Sequence, residues 1–355
     1  GPTFAFKDIA MQLIGNMYEK ILHNKNEATN IVVATSGDTG AAAISALKGR
    51  KNLNVFVLYP HDKISKVQRK LMTTAEEKNV FNLAIQGNFD DCQKLVKTMF
   101  VDKSFNKDIN MSGVNSINWA RIIAQIVYYF FGYFKVYKSG HHINFSVPTG
   151  NFGDVFAGYI AKKMGLPINK LIVATNKNDI LKRVINTGIY KPTDVEQTIS
   201  PSMDIQVASN FERLIFFVNS GNDLVTATTM KELKDKNQFK LSDQQINIIK
   251  NDFMSESLSE EETKNTIREI NNDHNVLVDP HTAVGIGVLK KISTEGINVV
   301  LSTAHPCKFP EAVKSFSGRF PSPPSGLEKV MEKKENFNIL PNDLVTIKRF
   351  IKQRI

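Results

Sequence analysis

The chain has 355 residues, 42% of them hydrophobic, and a formal net charge of +10. That length and apolar content support two packed domains and exclude a disordered or fibrous protein. The basic excess is scattered. Its short clusters, Lys66 with Arg69 and Lys70, and Lys348, Arg349, Lys352 and Arg354 in the tail, are not interleaved with stacking aromatics, so no nucleic-acid interface is expected.

From Phe6 to about Leu22 the apolar residues Ile9, Leu13, Met17 and Ile21 recur every four positions, which predicts an amphipathic helix with Lys7 in its first turn. The chain opens at Gly1, without a methionine, inside this same motif, and reads as a fragment lacking an N-terminal portion. Residues 30–35 (NIVVAT) form a short β-branched run, followed by Gly37, Gly40 and the helix former AAAISALKG. Strand, glycine turn and helix repeat with a strand over 55–59 and a helix over 66–78, and further helices are predicted near 90–101 and from about Ser116 to Phe134. The apolar stretch 122–134 is broken by Gln125 and Gly132 and falls short of the roughly 20 residues of a membrane span, so it reads as a buried helix.

A strand over 143–147, a turn over 148–153, a helix over 154–164 and a strand over 171–174 make another βαβ unit. Beyond Asn210 the pattern is mostly helical until one apolar strand at 297–302. The proline-rich stretch from Pro321 to Ser325 leads to a final helix near 341–355. Alternating strands and helices predict an α/β fold with parallel sheets. Two cysteines, Cys92 and Cys307, form no C-x-x-C pair and too few bridges for a disulfide framework, and no signal peptide opens the chain; a cytoplasmic protein is expected.

Three loops lie at the carboxyl ends of predicted strands, where open α/β sheets place ligands. In Ser36-Gly37-Asp38-Thr39-Gly40 the glycines allow close backbone approach and two hydroxyls are offered, which suits a carboxylate or phosphate at a helix N-terminus. The same residues also make an ordinary strand-to-helix turn, and the loop alone does not choose. In Pro148-Thr149-Gly150-Asn151-Phe152-Gly153-Asp154, glycines bracket Asn151 and Phe152 just before unpaired helical N–H donors able to hold a phosphate dianion, with Asp154 as a helix capper; a plain turn is the alternative. In Ser302-Thr303-Ala304-His305-Pro306 no partner stands at zinc spacing, so His305 reads as structural, as do His141, His142 and His281, and no metal site is expected. No G-x-S-x-G elbow supports a hydrolase.

These loops and Lys7 belong to a longer set of segments: GPTFAFKDIAMQ from Gly1, ATSGDTGAAA from Ala34, NSINWARIIAQIVYYF from Asn115, PTGNFGD from Pro148, ATNKNDIL from Ala174, SPSMDIQVASNFERL from Ser200, DPHTAVG from Asp279 and STAHPCKFPEAV from Ser302. In this order the chain resembles the threonine synthase family, in its longer form, over nearly all of its length. The resemblance implies a pyridoxal-phosphate enzyme of the tryptophan synthase beta-like fold, an α/β architecture of two parallel-sheet domains with helices on both faces. The expected division is 1–28 and 138–355 as the larger cofactor-binding domain and 29–137 as the smaller one, with the family's N-terminal domain missing.

By the same resemblance Lys7 is the lysine that carries pyridoxal 5'-phosphate. Gly150, Asn151, Phe152 and Gly153 hold the cofactor phosphate through backbone amides, with Asp154 adjoining, and Thr303 faces the pyridine nitrogen. A lysine in this role must spend part of its time unprotonated, which requires a desolvated site. Ser36, Asp38 and Thr39 are expected beside the substrate carboxylate, although kindred enzymes often have Asn where Asp38 stands. Asn115, Ser116, Asn118 and Arg121, with Asn118 and Arg121 on one helix face, are expected to cradle the leaving phosphate; an ordinary surface ion pair is the alternative for Arg121. The implied reaction turns O-phospho-L-homoserine and water into L-threonine and phosphate. A phospholyase releasing a keto acid and a cofactor-binding fragment without turnover are the alternatives, and monomer and homodimer stay undecided.

Overall fold

The computed structural model describes every residue from Gly1 to Ile355. Helix α1 (Lys7–Lys25) leads into strand β1 (Thr29–Ala34), α2 (Asp38–Leu47), β2 (Leu53–Pro60), α3 (Lys66–Thr73), β3 (Val80–Gln86), α4 (Phe89–Val101), α5 (Lys103–Asp108) and β4 (Met111–Ser112). Helix α6 (Trp119–Val136) precedes β5 (Ile143–Pro148), α7 (Gly153–Lys163), β6 (Ile168–Thr175), α8 (Ile180–Thr187), β7 (Ile189–Tyr190), α9 (Phe211–Val218), α10 (Asp223–Lys236), β8 (Phe239–Lys240), α11 (Asp243–Asp252) and β9 (Phe253–Ser257). Helices α12 (Glu260–His274) and α13 (Pro280–Val288), strand β10 (Ile297–Val300), helices α14 (Pro310–Ser317) and α15 (Leu327–Glu332), strand β11 (Asn338–Pro341) and helix α16 (Leu344–Lys352) complete the order.

Two compact units result: Gly1–Arg121 with Cys307–Phe309 and Ser322–Ile355, and Ile122–Pro306 with Pro310–Pro321. This differs from the expected grouping of 1–28 with 138–355. Helix α1 packs on α2, so closely that a Cβ on Gly15 would stand 2.6 Å from the Ala46 carbonyl oxygen, and the opening segment therefore travels with the first sheet. The last boundary falls at Pro321/Ser322, inside the proline-rich stretch.

In the first unit five parallel strands run in the order β11-β3-β2-β1-β4. Ile31, Val33, Val55 and Val57 pack with Met11, Ala41 and Met72 on one face, while Val32, Phe56 and Leu58 pack with Cys92, Met99 and Phe350 on the other. Burial on both faces explains why these strands read as continuous apolar runs rather than as an alternation. The chain steps from β1 to β2 to β3 in one direction, and β4 returns on the far side of β1. The crevice beyond the carboxyl ends of β1 and β4 is thus the switch point at which such sheets bind ligands.

The second unit repeats the device by itself. Its parallel sheet has the order β10-β5-β6-β9, with a short antiparallel pair β7-β8 beside it. Phe145, Val147, Leu171 and Val173 pack with Tyr129, Phe156, Val184 and Phe211, and Ile172 and Ala174 pack with Val284 and Val288 of α13. Here the switch point lies between β5 and β10.

Six strands were not legible in the sequence: β3, β9 and β11, and the two-residue strands β4, β7 and β8. The four-residue stripe of α1 is also turned the other way. Ile9, Leu13, Met17 and Ile21 are exposed, and Ala10, Met11, Ile14 and Gly15 are buried. A strict four-residue spacing drifts by about 40° per step on a 3.6-residue helix, and the row of smaller residues beside it lets α1 approach α2. Helix α6 is likewise buried on one side only, since Ile123, Val127, Phe131 and Phe134 are exposed. No helix is long and apolar enough to cross a membrane.

Candidate active site

In the first unit Lys7 is the first residue of α1 and is buried. Its Nζ donates to Asp38 Oδ2 at 3.4 Å. Burial pushes the Lys7 ammonium below its ordinary pKa; Asp38 opposes the shift, and the charges of Arg121 and Lys308 add to it. The amine is therefore biased toward the neutral, nucleophilic form, as burial next to like charges requires.

Asp38 opens α2 directly after β1 and is buried. Its Oδ1 takes a 2.7 Å ion pair from Lys308 Nζ and a 3.0 Å hydrogen bond from Gln68 Nε2. Burial alone would favour the protonated acid, but Lys308 and Lys7 outweigh it and hold the carboxyl well below the usual carboxylate range. Gly37 has φ 127°, and a Cβ there would stand 2.5 Å from the Gln68 side chain; only glycine serves. The Thr35 hydroxyl accepts the N–H groups of Gly37 and Gly40 at 2.9 and 2.8 Å. Ser36 and Thr39 stand half-buried on either side of this turn.

After β4, Asn115 is exposed and Ser116 half-buried. Asn118 Oδ1 accepts the Ala120 N–H at 3.0 Å, so its side chain caps α6 rather than standing open beside Arg121. Arg121 is buried and donates to the Val114 carbonyl at 3.2 Å, which rules out the ordinary surface ion pair. The loops after β1 and β4 flank the first switch point, and the structure gathers Lys7, Asp38 and Arg121 there, joined by two residues that sequence reasoning passed over, Gln68 and Lys308. The one available signal was a lysine set between two apolar residues, Cys307 and Phe309.

In the second unit the loop after β5 carries Gly150, where a Cβ would stand 2.5 Å from the Ser202 carbonyl oxygen. Asn151 is tied down: its carbonyl accepts from Asn210 N and Nδ2 at 3.1 and 3.0 Å, and its Oδ1 from Ser209 Oγ at 3.1 Å. Phe152 has φ 62° and a fully buried ring packed on Phe211 and Phe253, with centroids 5.3 and 5.7 Å away. Its N–H donates to the Gly150 carbonyl at 2.8 Å, so Phe152 shapes the turn from the core side. Gly153 begins α7, whose first-turn N–H groups lack intrahelical acceptors.

Asp154 does not cap α7 as expected. Its carbonyl and Oδ1 accept from the buried Tyr129 hydroxyl at 2.8 and 3.2 Å. After β10, Thr303 is buried at the second switch point. His281 is structural: Nδ1 pairs with Asp279 at 2.8 Å and Nε2 accepts the Ser202 N–H at 3.2 Å, which holds the segment that backs Gly150. His305 is half-buried, and burial lowers its pKa against a weaker opposing effect of Asp279. No group of His, Cys, Asp and Glu is placed to hold a metal.

Taken unit by unit, the desolvated lysine of the first suits an aldehyde cofactor and the glycine turn at a helix N-terminus of the second suits a phosphate; each is a feature that the pyridoxal-phosphate class requires. The pyridoxal-phosphate dependent enzyme family matches residues 1–302, and the threonine synthase C-terminal family matches 282–351. Threonine synthase of Pseudomonas aeruginosa is 45% identical over 356 residues, covering 99% of this chain and 76% of that protein, and that of Saccharomyces cerevisiae is 45% identical, covering 90% and 68%. The crystal structure of pyridoxal-phosphate-bound threonine synthase from Brucella melitensis superposes with a TM-score of 0.95 at 46% identity, covering 100% of this chain and 76% of that one. The chain belongs to the threonine synthase family of pyridoxal-phosphate-dependent enzymes.

Proposed function

We propose that this protein converts O-phospho-L-homoserine and water into L-threonine and phosphate, with Lys7 as the residue that carries pyridoxal 5'-phosphate. The observation that carries the reading is the buried Lys7 amine set against Asp38. When bound, the cofactor supplies an electron sink for the carbanion formed beside the substrate amine.

The chain's own residues supply position and proton movement. The amides of Gly150, Asn151 and Gly153 and the N-terminus of α7 would receive the cofactor phosphate, with Phe152 holding the turn from beneath and Asp154 locked to Tyr129. Thr303 would offer the pyridine nitrogen a neutral hydroxyl, which would leave the ring less electron-withdrawing than a carboxylate partner. Lys7, biased by burial toward the neutral amine, would take a proton at the α carbon and move protons at the β carbon. Asp38 accepts from it and orients it. Ser36 and Thr39 offer hydroxyls to the substrate carboxylate, and Arg121, with Asn115, Ser116 and Asn118 preceding it, supplies the positive charge for the phosphate leaving the γ carbon. Water then adds at the β carbon.

Cysteine usage supports a cytoplasmic location. Borohydride reduction of the loaded protein followed by peptide mapping is expected to label Lys7, and Lys7→Ala to lose both the visible colour and phosphate release. Incubation with phosphohomoserine is expected to give threonine; keto acid without threonine would convert the assignment to a phospholyase.

A further inference from the structure

Lys308 is fully buried and sits on a three-residue insertion of the chain into the first unit, Cys307–Phe309. Its carbonyl accepts from the Ser65 hydroxyl at 2.8 Å, and neighbouring Cys307 packs with Val67, Leu327 and Phe4. Its ammonium donates to the Thr3 carbonyl at 2.8 Å and pairs with Asp38 Oδ1 at 2.7 Å. Thr3 is itself fixed, its N–H donating to Asp8 Oδ2 at 2.9 Å. Desolvating an ammonium this completely is costly, and an apolar side chain of similar length would serve packing as well or better. Stability therefore gives no reason for a lysine here.

We propose that Lys308 is a positioning residue: its ammonium clamps Asp38 through one carboxylate oxygen, cancels that charge, and leaves the other oxygen set against the Lys7 amine. The inference rests on Lys7 as the cofactor lysine. Asp38 cannot serve Lys7 alone, because a lone buried anion at 3.4 Å would hold the amine in its protonated, non-nucleophilic form. The charged groups acting on Lys7 are Asp38 of α2, Lys308 of the insertion and Arg121 of α6. Of these, Lys308 pairs with the same carboxylate that Lys7 touches, through its other oxygen. With the clamp in place Asp38 directs Lys7 without trapping its proton.

The test is competitive acetylation of Lys7 in the cofactor-free chain across pH, read by mass spectrometry, with the pH dependence of cofactor reincorporation as a second readout. In Lys308→Met the midpoint for Lys7 is expected to move alkaline by about one unit, which slows reincorporation about tenfold below the midpoint. In the double variant Asp38→Asn/Lys308→Met, where both charges are gone, it is expected to return to the native value or below. The double variant also decides the question if Lys308→Met alone fails to fold. An unshifted midpoint in a folded Lys308→Met, or a double variant displaced as far alkaline as the single one, would overturn the clamp. Borohydride mapping in the same variants separates the two readings: label away from Lys7 defeats the assignment of Lys7, whereas label on Lys7 with an unmoved midpoint defeats only the clamp.

Discussion

The backbone at Gly150 runs so close to Ser202 that a side chain of even one carbon would stand 2.5 Å from the Ser202 carbonyl oxygen. The neighbour is main chain, held in turn by the His281 ring through the Ser202 N–H, so it cannot swing aside. Gly150→Ala should push the turn away from its present path and weaken pyridoxal-phosphate binding at least tenfold, a loss of about 1.4 kcal/mol. Fluorescence titration of the cofactor-free protein measures this, and unchanged affinity would show that the turn does not hold the cofactor.

Phe152 contributes to the same turn from the opposite side, through a ring enclosed by Phe156, Phe211 and Phe253. Phe152→Ala should cost about 3–5 kcal/mol of unfolding free energy, the range for truncating a buried aromatic, observed as a lower urea midpoint. Phe152→Leu should recover much of that stability.

Thr35 is the corresponding brace in the first unit, with one hydroxyl accepting two backbone N–H groups. Thr35→Val keeps the shape and removes the acceptor, leaving two donors without it at a cost of about 1–3 kcal/mol. Thr35→Ser should stay near the native value, and equal denaturation midpoints for the native protein and the valine variant would count against the brace.

The lowered pKa of Lys7 fixes a sign for the pH dependence of folding. Between its folded pKa and the ordinary value of 10.5 the unfolded chain binds a proton that the native chain does not. Stability of the cofactor-free protein should therefore rise with pH across that window, and the Lys7 contribution should be lost as pH falls through the folded pKa. Lys7→Met should flatten this rise and raise the melting temperature at neutral pH while abolishing activity. Parallel pH slopes in the two proteins would show that Lys7 is an ordinary protonated lysine.

The sequence by itself determined the local pieces. The β-branched run ending at Thr35, the glycine turn at Gly37 and the alanine-rich helix after it follow from backbone preferences of adjacent residues, and the same holds for 143–163. Lys7, Asp38, Gly150 and Thr303 could be named because each lies in a contiguous motif. Tertiary structure alone decided the rest. Strand β9, FMSES, has too little β-branched character to declare itself and is a strand because β6 pairs with it; β11 comes from the far end of the chain to the edge of the first sheet. The outward turn of Ile9, Leu13, Met17 and Ile21 depended on which side of α1 found α2. Lys308 meets Thr3 across 305 positions of sequence, and Tyr129, not a cap, holds Asp154. Such partners are chosen by burial and charge compensation between distant segments, which leave no periodicity in the chain that carries them.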